Sequence, residues 1–170
     1  DGDGKPDLAV ANYNNTNVSV LRNTSTGAVS FATKINFTTG TNPVSLTIGD
    51  IDNDGKPDLA IANLGSNTIS VLRNSSNIGT VNFATNVDFA TGTQPRSIST
   101  GDIDGDGKPD LVVANAVSNT LSLFPNSSTS GTMSFATKVD FATGTSPSSV
   151  SIGDIDNDGR PDMAVTNISN

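Results

Sequence analysis

Aspartate is the residue type in this sequence whose spacing could support chemistry. All 17 acidic residues are Asp, and all except Asp88 and Asp140 lie in four short clusters. A full cluster has nine residues, with Asp at positions one, three, five and nine and Gly at position six. Carboxylates this close repel one another by about 1 kcal/mol or more per pair, so the pattern predicts a bound cation. The clusters span residues 50–58, 102–110 and 154–162, and a copy at 1–7 lacks the first two positions.

Calcium is the cation that fits this set of donors best. It takes about six to eight oxygen ligands, and a tight loop offers alternate side chains plus the main-chain carbonyl of position seven. Gly at position six permits a positive φ, and Pro at position eight fixes φ as the next segment begins. We therefore predict about one Ca²⁺ per repeat. The predicted ligands are Asp50, Asp52, Asp54, Lys56 and Asp58; Asp102, Asp104, Asp106, Lys108 and Asp110; Asp154, Asp156, Asp158, Arg160 and Asp162; and Asp1, Asp3, Lys5 and Asp7, where Lys and Arg contribute only their carbonyl oxygens.

Other interpretations of the clusters fit less well. An EF-hand needs a bidentate Glu at position twelve, where this chain has Ile61, Val113 or Val165. Magnesium demands tighter octahedral geometry, and zinc prefers His and Cys ligands. A turn built from Asp, Asn, Gly and Pro without any ion remains open for a single copy, but three full copies that keep every Asp weaken it.

Composition excludes several classes of function. The chain has no His, Cys or Glu, so conventional acid–base or thiol catalysis has few candidate side chains, and we expect no enzyme activity in this segment. A net charge of −8 with nine basic residues leaves no basic surface for nucleic acid. No apolar stretch is long enough to span a bilayer, so we expect no membrane insertion here.

The clusters belong to a repeat of whole structural units. The third Asp of each cluster, at positions 3, 54, 106 and 158, recurs after 51, 52 and 52 residues. Short segments rich in Val, Ile, Thr and Phe repeat in register between Gly, Pro and Asn, which is typical of β-strands. Four strands per unit of about 52 residues predict an all-β fold of antiparallel β-propeller blades. The predicted units within a single array, 1–170, are 1–42 (partial), 43–94, 95–146 and 147–170 (partial).

The Phe residues predict how blades pack together. They recur in pairs six residues apart, at 31 and 37, 83 and 89, and 135 and 141. That spacing places both rings of a pair on one face of an extended chain, and we expect them to fill the gap between blades.

The Asp loop followed by a segment such as PDLAVAN resembles the FG-GAP or VCBS repeat family, whose blades form integrin α-subunit propellers and parts of many secreted bacterial proteins. The resemblance covers essentially the whole chain. It implies that each loop joins the first two strands of a blade, that the Asp positions above bind calcium, and that the protein is extracellular or at the cell surface.

Roughly three blades are fewer than the four to eight that usually close a propeller, which predicts a partial or open propeller. Open strand edges would allow self-association. Three functions therefore remain: an extracellular calcium-binding scaffold for adhesion or for binding protein or carbohydrate, a self-assembling spacer or filament subunit, and a non-catalytic accessory domain of a larger secreted enzyme.

Overall fold

The described residues, 1–169, form thirteen β-strands and no helix in a computed structural model. This confirms the prediction of an all-β fold. The strands are β1 (Leu8–Ala11), β2 (Asn17–Leu21), β3 (Ile35–Thr38), β4 (Pro43–Gly49), β5 (Asp58–Asn63), β6 (Thr68–Leu72), β7 (Val87–Ala90), β8 (Pro95–Gly101), β9 (Asp110–Asn115), β10 (Thr120–Phe124), β11 (Val139–Ala142), β12 (Thr145–Gly153) and β13 (Asp162–Ser169).

The strands form four antiparallel sheets, which we call blades 1 to 4 in chain order. Blade 2 has the order β4-β5-β6-β7, and blade 3 has the equivalent order β8-β9-β10-β11. Blade 1 consists of β1-β2-β3, and blade 4 consists of β12-β13. Comparison of the registers shows that β1 corresponds to the second strand of a full blade, whereas β12 corresponds to the first. The described blades are open sheets, as predicted.

The first strands of blades 2, 3 and 4 pack against one another, and we call them the inner strands. Strands β4, β8 and β12 lie side by side. Serine hydroxyls join them, because Ser45 Oγ accepts the backbone N–H of Ile98 at 3.3 Å and Ser97 Oγ accepts that of Val150 at 3.2 Å. Successive side chains of a strand point to opposite faces. The serines of these strands therefore contact one neighbouring blade, and the apolar residues that alternate with them contact the other.

The second strands, with sequences such as DLAIAN and DLVVAN, are apolar on both faces, which predicts burial on both sides. This holds only where a blade has two neighbours. Strands β5 and β9 are buried at every residue. In β1, however, Leu8 and Val10 are 47% and 46% exposed, whereas the equivalent Leu59 is 3% exposed. Strand β13 has no buried residue. The apolar pattern of a second strand therefore matches a blade that is packed between two others. Each of the described end blades has only one neighbouring blade.

Aromatic rings fill the gaps between blades, as predicted. Phe37 of blade 1 meets Phe83 of blade 2 edge to face with ring centroids 5.0 Å apart, and Phe89 of blade 2 meets Phe135 of blade 3 at the same distance. The expected arrangement within a pair was wrong. Phe83 and Phe135 lie in loops, and only the second ring of each pair lies in an outer strand. The two rings of the blade 2 pair contact opposite neighbours, since Phe83 meets blade 1 and Phe89 meets blade 3.

We predict that Phe89→Ala lowers the free energy of unfolding by about 2 kcal/mol, because it removes an aromatic contact and leaves a cavity between blades. Phe141→Ala is the matched control, since Phe141 holds the same register in β11 but is 42% exposed. It should cost less than about 1 kcal/mol. Urea denaturation of both variants measures the difference, and equal costs would contradict this account of blade packing.

Candidate metal centre

Each complete aspartate loop joins the inner strand of a blade to its second strand. In blade 2, β4 ends at Gly49 and β5 begins at Asp58, so the loop occupies the gap between them. Position six has the positive φ that the sequence predicts, with values of 86°, 84° and 86° at Gly55, Gly107 and Gly159. Position four is also left-handed, with φ of 55° at Asn53 and 78° at Gly105. This explains why only Asn or Gly stands there, a signal that sequence analysis left unused.

Carboxylates of the loop accept the loop's own backbone N–H groups. Asp50 accepts the N–H of Asp54 at 3.0 Å with one oxygen and that of Gly55 at 2.8 Å with the other. Asp52 accepts the N–H of Asp54 at 3.2 Å. These bonds fix the first two carboxylates of the loop relative to its backbone.

The last Asp of the loop is buried and connects distant segments. Asp58 accepts the N–H of Ile51 at 2.9 Å and the N–H of Asn74 at 2.7 Å, one on each oxygen. Burial raises the pKa of Asp58 to about 6, against the smaller opposing effect of those two hydrogen bonds. Burial likewise raises the pKa of Asp110, the equivalent residue of blade 3. A buried carboxylate without a cationic partner is unfavourable when ionised, so a cation at this position would stabilise the fold.

The structure brings three of the four predicted aspartates of each complete loop together. Carboxylate oxygens from positions one, three and nine lie within 4.8 Å of one another in every complete loop. Two ligands at calcium's usual distances of about 2.3–2.6 Å from one ion can be separated by at most about 5 Å, so these groups fit a shared calcium. The groups are Asp50, Asp52 and Asp58; Asp102, Asp104 and Asp110; and Asp154, Asp156 and Asp162.

The fifth-position aspartates stand apart from these groups. One oxygen of Asp54 accepts the N–H of Lys56 at 2.9 Å, and the other lies 3.7 Å from the guanidinium of Arg73. Asp106 and Asp158 make the same contact with the N–H of Lys108 and Arg160. A role for these three aspartates and for the position-seven carbonyls in metal binding stays a prediction.

The incomplete first loop has a different arrangement. Asp1 corresponds to position three, and its amino group donates to Asp7 at 3.0 Å. Asp3 accepts the N–H of Lys5 at 2.9 Å. Without a position-one aspartate, this loop forms no three-carboxylate group among the described residues. Its predicted ligand set is therefore incomplete.

The loops also contact the following blade, which sequence analysis did not predict. Asp52 of blade 2 accepts the backbone N–H of Gly131 in blade 3 at 2.7 Å, and Asp1 accepts that of Gly79 in blade 2 at 3.0 Å. The side-chain amide of Asn126 donates to Ile51 O at 2.8 Å. The available signal was the recurrence of Gly79 at the equivalent Gly131, one repeat apart.

The three complete loops differ in how far another blade covers their third-position aspartate. Asp52 is 1% exposed, because the turn containing Gly131 lies over it. Asp104 and Asp156 occupy the same position in their loops and are exposed. Among the described residues, Asp104 accepts the N–H of Asp106 in its own loop, and Asp156 likewise accepts that of Asp158.

The comparisons with known proteins agree with this geometry. A family model described as an FG-GAP-like repeat matches residues 1–61, 51–113 and 102–165. The chain belongs to the FG-GAP-like repeat family. Each FG-GAP match begins in one aspartate loop and runs through the next aspartate loop into the second strand that follows it. A search of curated proteins found no match. Among the described residues of this FG-GAP array, no helix has the length and apolar character to cross a membrane.

The contact between Asp52 and Gly131 predicts unequal effects of two matched substitutions. Asp52→Ala and Asp104→Ala each remove one loop carboxylate and one loop hydrogen bond. Only the first also leaves the Gly131 N–H without its acceptor. In chelator, Asp52→Ala should therefore be less stable than Asp104→Ala by about 1–3 kcal/mol in the free energy of unfolding. Equal stability in chemical denaturation would contradict a coupling between loop and neighbouring blade.

Proposed function

We propose that this FG-GAP array is an extracellular calcium-binding module that serves as a rigid scaffold for adhesion or for binding protein or carbohydrate. The observation that carries the proposal is the convergence of three carboxylates in each complete loop, two of which are buried in blade 2 and one in blade 3. Oxygen donors without His or Cys suit a hard divalent cation. Millimolar extracellular calcium would occupy even weak sites of this kind.

A bound ion would rigidify the array because of what the loops already touch. Asp58 ties the loop to the segment after β6 through Asn74, and Asp52 ties it to the next blade through Gly131. An ion held by both carboxylates would oppose any movement that separates these elements. Calcium would thus strengthen both the blade and its packing against its neighbour.

The rim opposite the aspartate loops is our proposed ligand-facing surface. The turns between second and third strands lie there, because adjacent antiparallel strands reverse direction. They comprise residues 13–17, 64–67 and 116–119, and Tyr13 and Val117 are 53% and 56% exposed. Asn and Ser side chains in these turns can hydrogen-bond a polar partner. We place any catalytic function outside the module, because its carboxylate clusters are assigned to metal.

Self-assembly as a spacer or filament is the second candidate function. The uniformity of the repeat units favours it, since one family model matches the chain three times in succession. An accessory role beside a secreted catalytic domain uses the same scaffold. Sedimentation with calcium and with chelator separates these cases: concentration-dependent growth indicates assembly, whereas a constant monomer mass supports the scaffold.

Calcium should raise the stability of the protein. At a free concentration 100 times the dissociation constant, each occupied site should add about 2.7 kcal/mol, if the unfolded chain does not bind. Calorimetry should count one ion for each of the three complete loops. Asp50→Asn, Asp102→Asn and Asp154→Asn should each remove or weaken one of them.

Asp88→Asn is the matched control for these substitutions, because it removes one charge outside the loops. Ser70 Oγ donates to Asp88 at 2.6 Å, and Ser19 makes the same bond to Asn36 in blade 1. Asn is therefore already accommodated at this position of the fold. The control should retain all calcium sites, and an unchanged calcium response in all three loop variants would refute the assignment.

A further inference from the structure

The position-five aspartates of the two complete blades have different neighbours. In blades 2 and 3, one oxygen of this aspartate accepts the backbone N–H of the position-seven residue at 2.9 Å. The other oxygen of Asp54 lies 3.7 Å from Nη1 of Arg73, and these two side chains are 15% and 32% exposed. The corresponding oxygen of Asp106 has no cationic partner among the described residues. Two loops with the same aspartate spacing therefore differ in the charge beside position five.

One sequence difference between the repeats accounts for this. The residue that follows the third strand of blade 2 is Arg73, and the residue at the equivalent register of blade 3 is Pro125. Arg22 holds this position in blade 1 and lies 3.8 Å from a carboxylate oxygen of Asp1. An arginine that follows the third strand thus reaches an aspartate loop in two blades, whereas a proline has no charge with which to do so.

Arg73 is the basic side chain that neutralises Asp54. Lys56 is closer in sequence, but its ammonium group donates to the backbone oxygen of Ser76 at 3.0 Å. Asp54 lies outside the group of carboxylates that positions one, three and nine bring together. To join an ion held by that group, the carboxylate of Asp54 would have to leave Arg73. The guanidinium would also repel a nearby divalent cation, so both effects lower the affinity of this loop for calcium.

The structure provides a place for the displaced arginine. A cleft of about 330 Å³ lies between blades 2 and 3, and Arg73 is one of the residues that line it. Val71 and Val87 of blade 2 and Met133 of blade 3 contribute apolar surface to the cleft. The aliphatic part of an arginine side chain can pack on such a surface while its charged end stays in water. Arg73 can therefore leave Asp54 without losing its packing.

We infer that Arg73 competes with calcium for Asp54 and so lowers the calcium affinity of the blade 2 loop. In the absence of calcium, Arg73 supplies the positive charge beside Asp54. When calcium binds, the carboxylate turns to the ion and the guanidinium moves into the cleft. Pro125 exempts Asp106 in blade 3 from this competition. Because calcium is the ion of the proposed function, this role of Arg73 rests on that proposal.

Calorimetric titration with calcium tests the competition at a single loop. Asp102→Asn and Asp154→Asn disable the other two complete loops, so that the heat reports on blade 2. In this background Arg73→Gln should tighten calcium binding about threefold or more. Arg96→Gln is the matched control, because it removes the same charge from an exposed residue at the start of β8, the end of that strand away from the aspartate loop. It should leave the affinity unchanged.

Asp54→Asn separates competition from simple charge repulsion. Asparagine keeps an oxygen that can accept the N–H of Lys56 but has no charge for Arg73 to neutralise. If Arg73 acts through Asp54, then Arg73→Gln should give little or no gain in calcium affinity in this variant. An equal gain with and without the Asp54 carboxylate would overturn the competition, as would unchanged affinity of Arg73→Gln in the original loop.

The reverse substitution tests the same relation in blade 3. With Asp50→Asn and Asp154→Asn present, Pro125→Arg should weaken calcium binding at the blade 3 loop about threefold or more relative to Pro125→Gln. The glutamine variant controls for loss of the proline ring. Equal affinity of the two variants would show that this position does not set the affinity of its loop.

Chemical denaturation adds a measurement that does not require bound calcium. In chelator Arg73→Gln should lower the midpoint, because Asp54 loses its positive partner, whereas the gain in stability from saturating calcium should become larger. A purely structural role of Arg73 predicts the same loss in both buffers, and that result would overturn the inference. If the native chain binds no calcium at any loop, the proposed function fails together with the inference.

Discussion

The ninth-position aspartate of each loop is the group on which the local structure depends. Asp58 receives N–H groups from the start of its loop and from the segment after β6, and Asp110 repeats both bonds in blade 3. Each of these bonds needs a carboxylate oxygen that accepts, and an ionised aspartate inside the protein provides two. Burial opposes ionisation and raises the pKa of Asp58 to about 6. The fold thus creates a concentration of negative charge that a divalent cation would relieve.

The aspartate loop links neighbouring blades as well as the strands of its own blade. The loop that carries Asp58 also carries Asp52, which holds a turn of the following blade through Gly131. Repeat proteins derive much of their stability from contacts between adjacent units. Here those contacts combine apolar packing, edge-to-face Phe pairs and a hydrogen bond to a loop carboxylate. Binding of an ion at the loop would therefore influence the interface as well as the blade.

Much of the fold could be predicted from the repeat, because equivalent residues recur at a nearly constant spacing. The strands, the turn at Gly55 and the aromatic packing between blades all follow from that regularity. The position of Asp54 could not be predicted, since its spacing matches the other ligands while its side chain faces Arg73 and the loop backbone. Contacts such as Asp52 with Gly131 join residues more than one repeat apart, and local sequence patterns do not encode such pairs.

Asp88 and Asp140, the two aspartates outside the clusters, also acquire an explanation only from the structure. Each accepts a hydrogen bond from a buried serine of the third strand, Ser70 or Ser122. Lys138 and then Ser122 hold the pKa of Asp140 below its usual value. Asp88 and Asp140 therefore belong to the polar packing within a blade. The other aspartates are restricted to the loops, which indicates that they have a different role.

Anomalous diffraction from crystals grown in calcium tests the central claim most directly, because it identifies the ion as well as its position. The account predicts an anomalous peak among the gathered carboxylates of each complete loop, about 2.3–2.6 Å from their oxygens. Well-ordered loops without such a peak, at calcium concentrations typical of the extracellular medium, would contradict it.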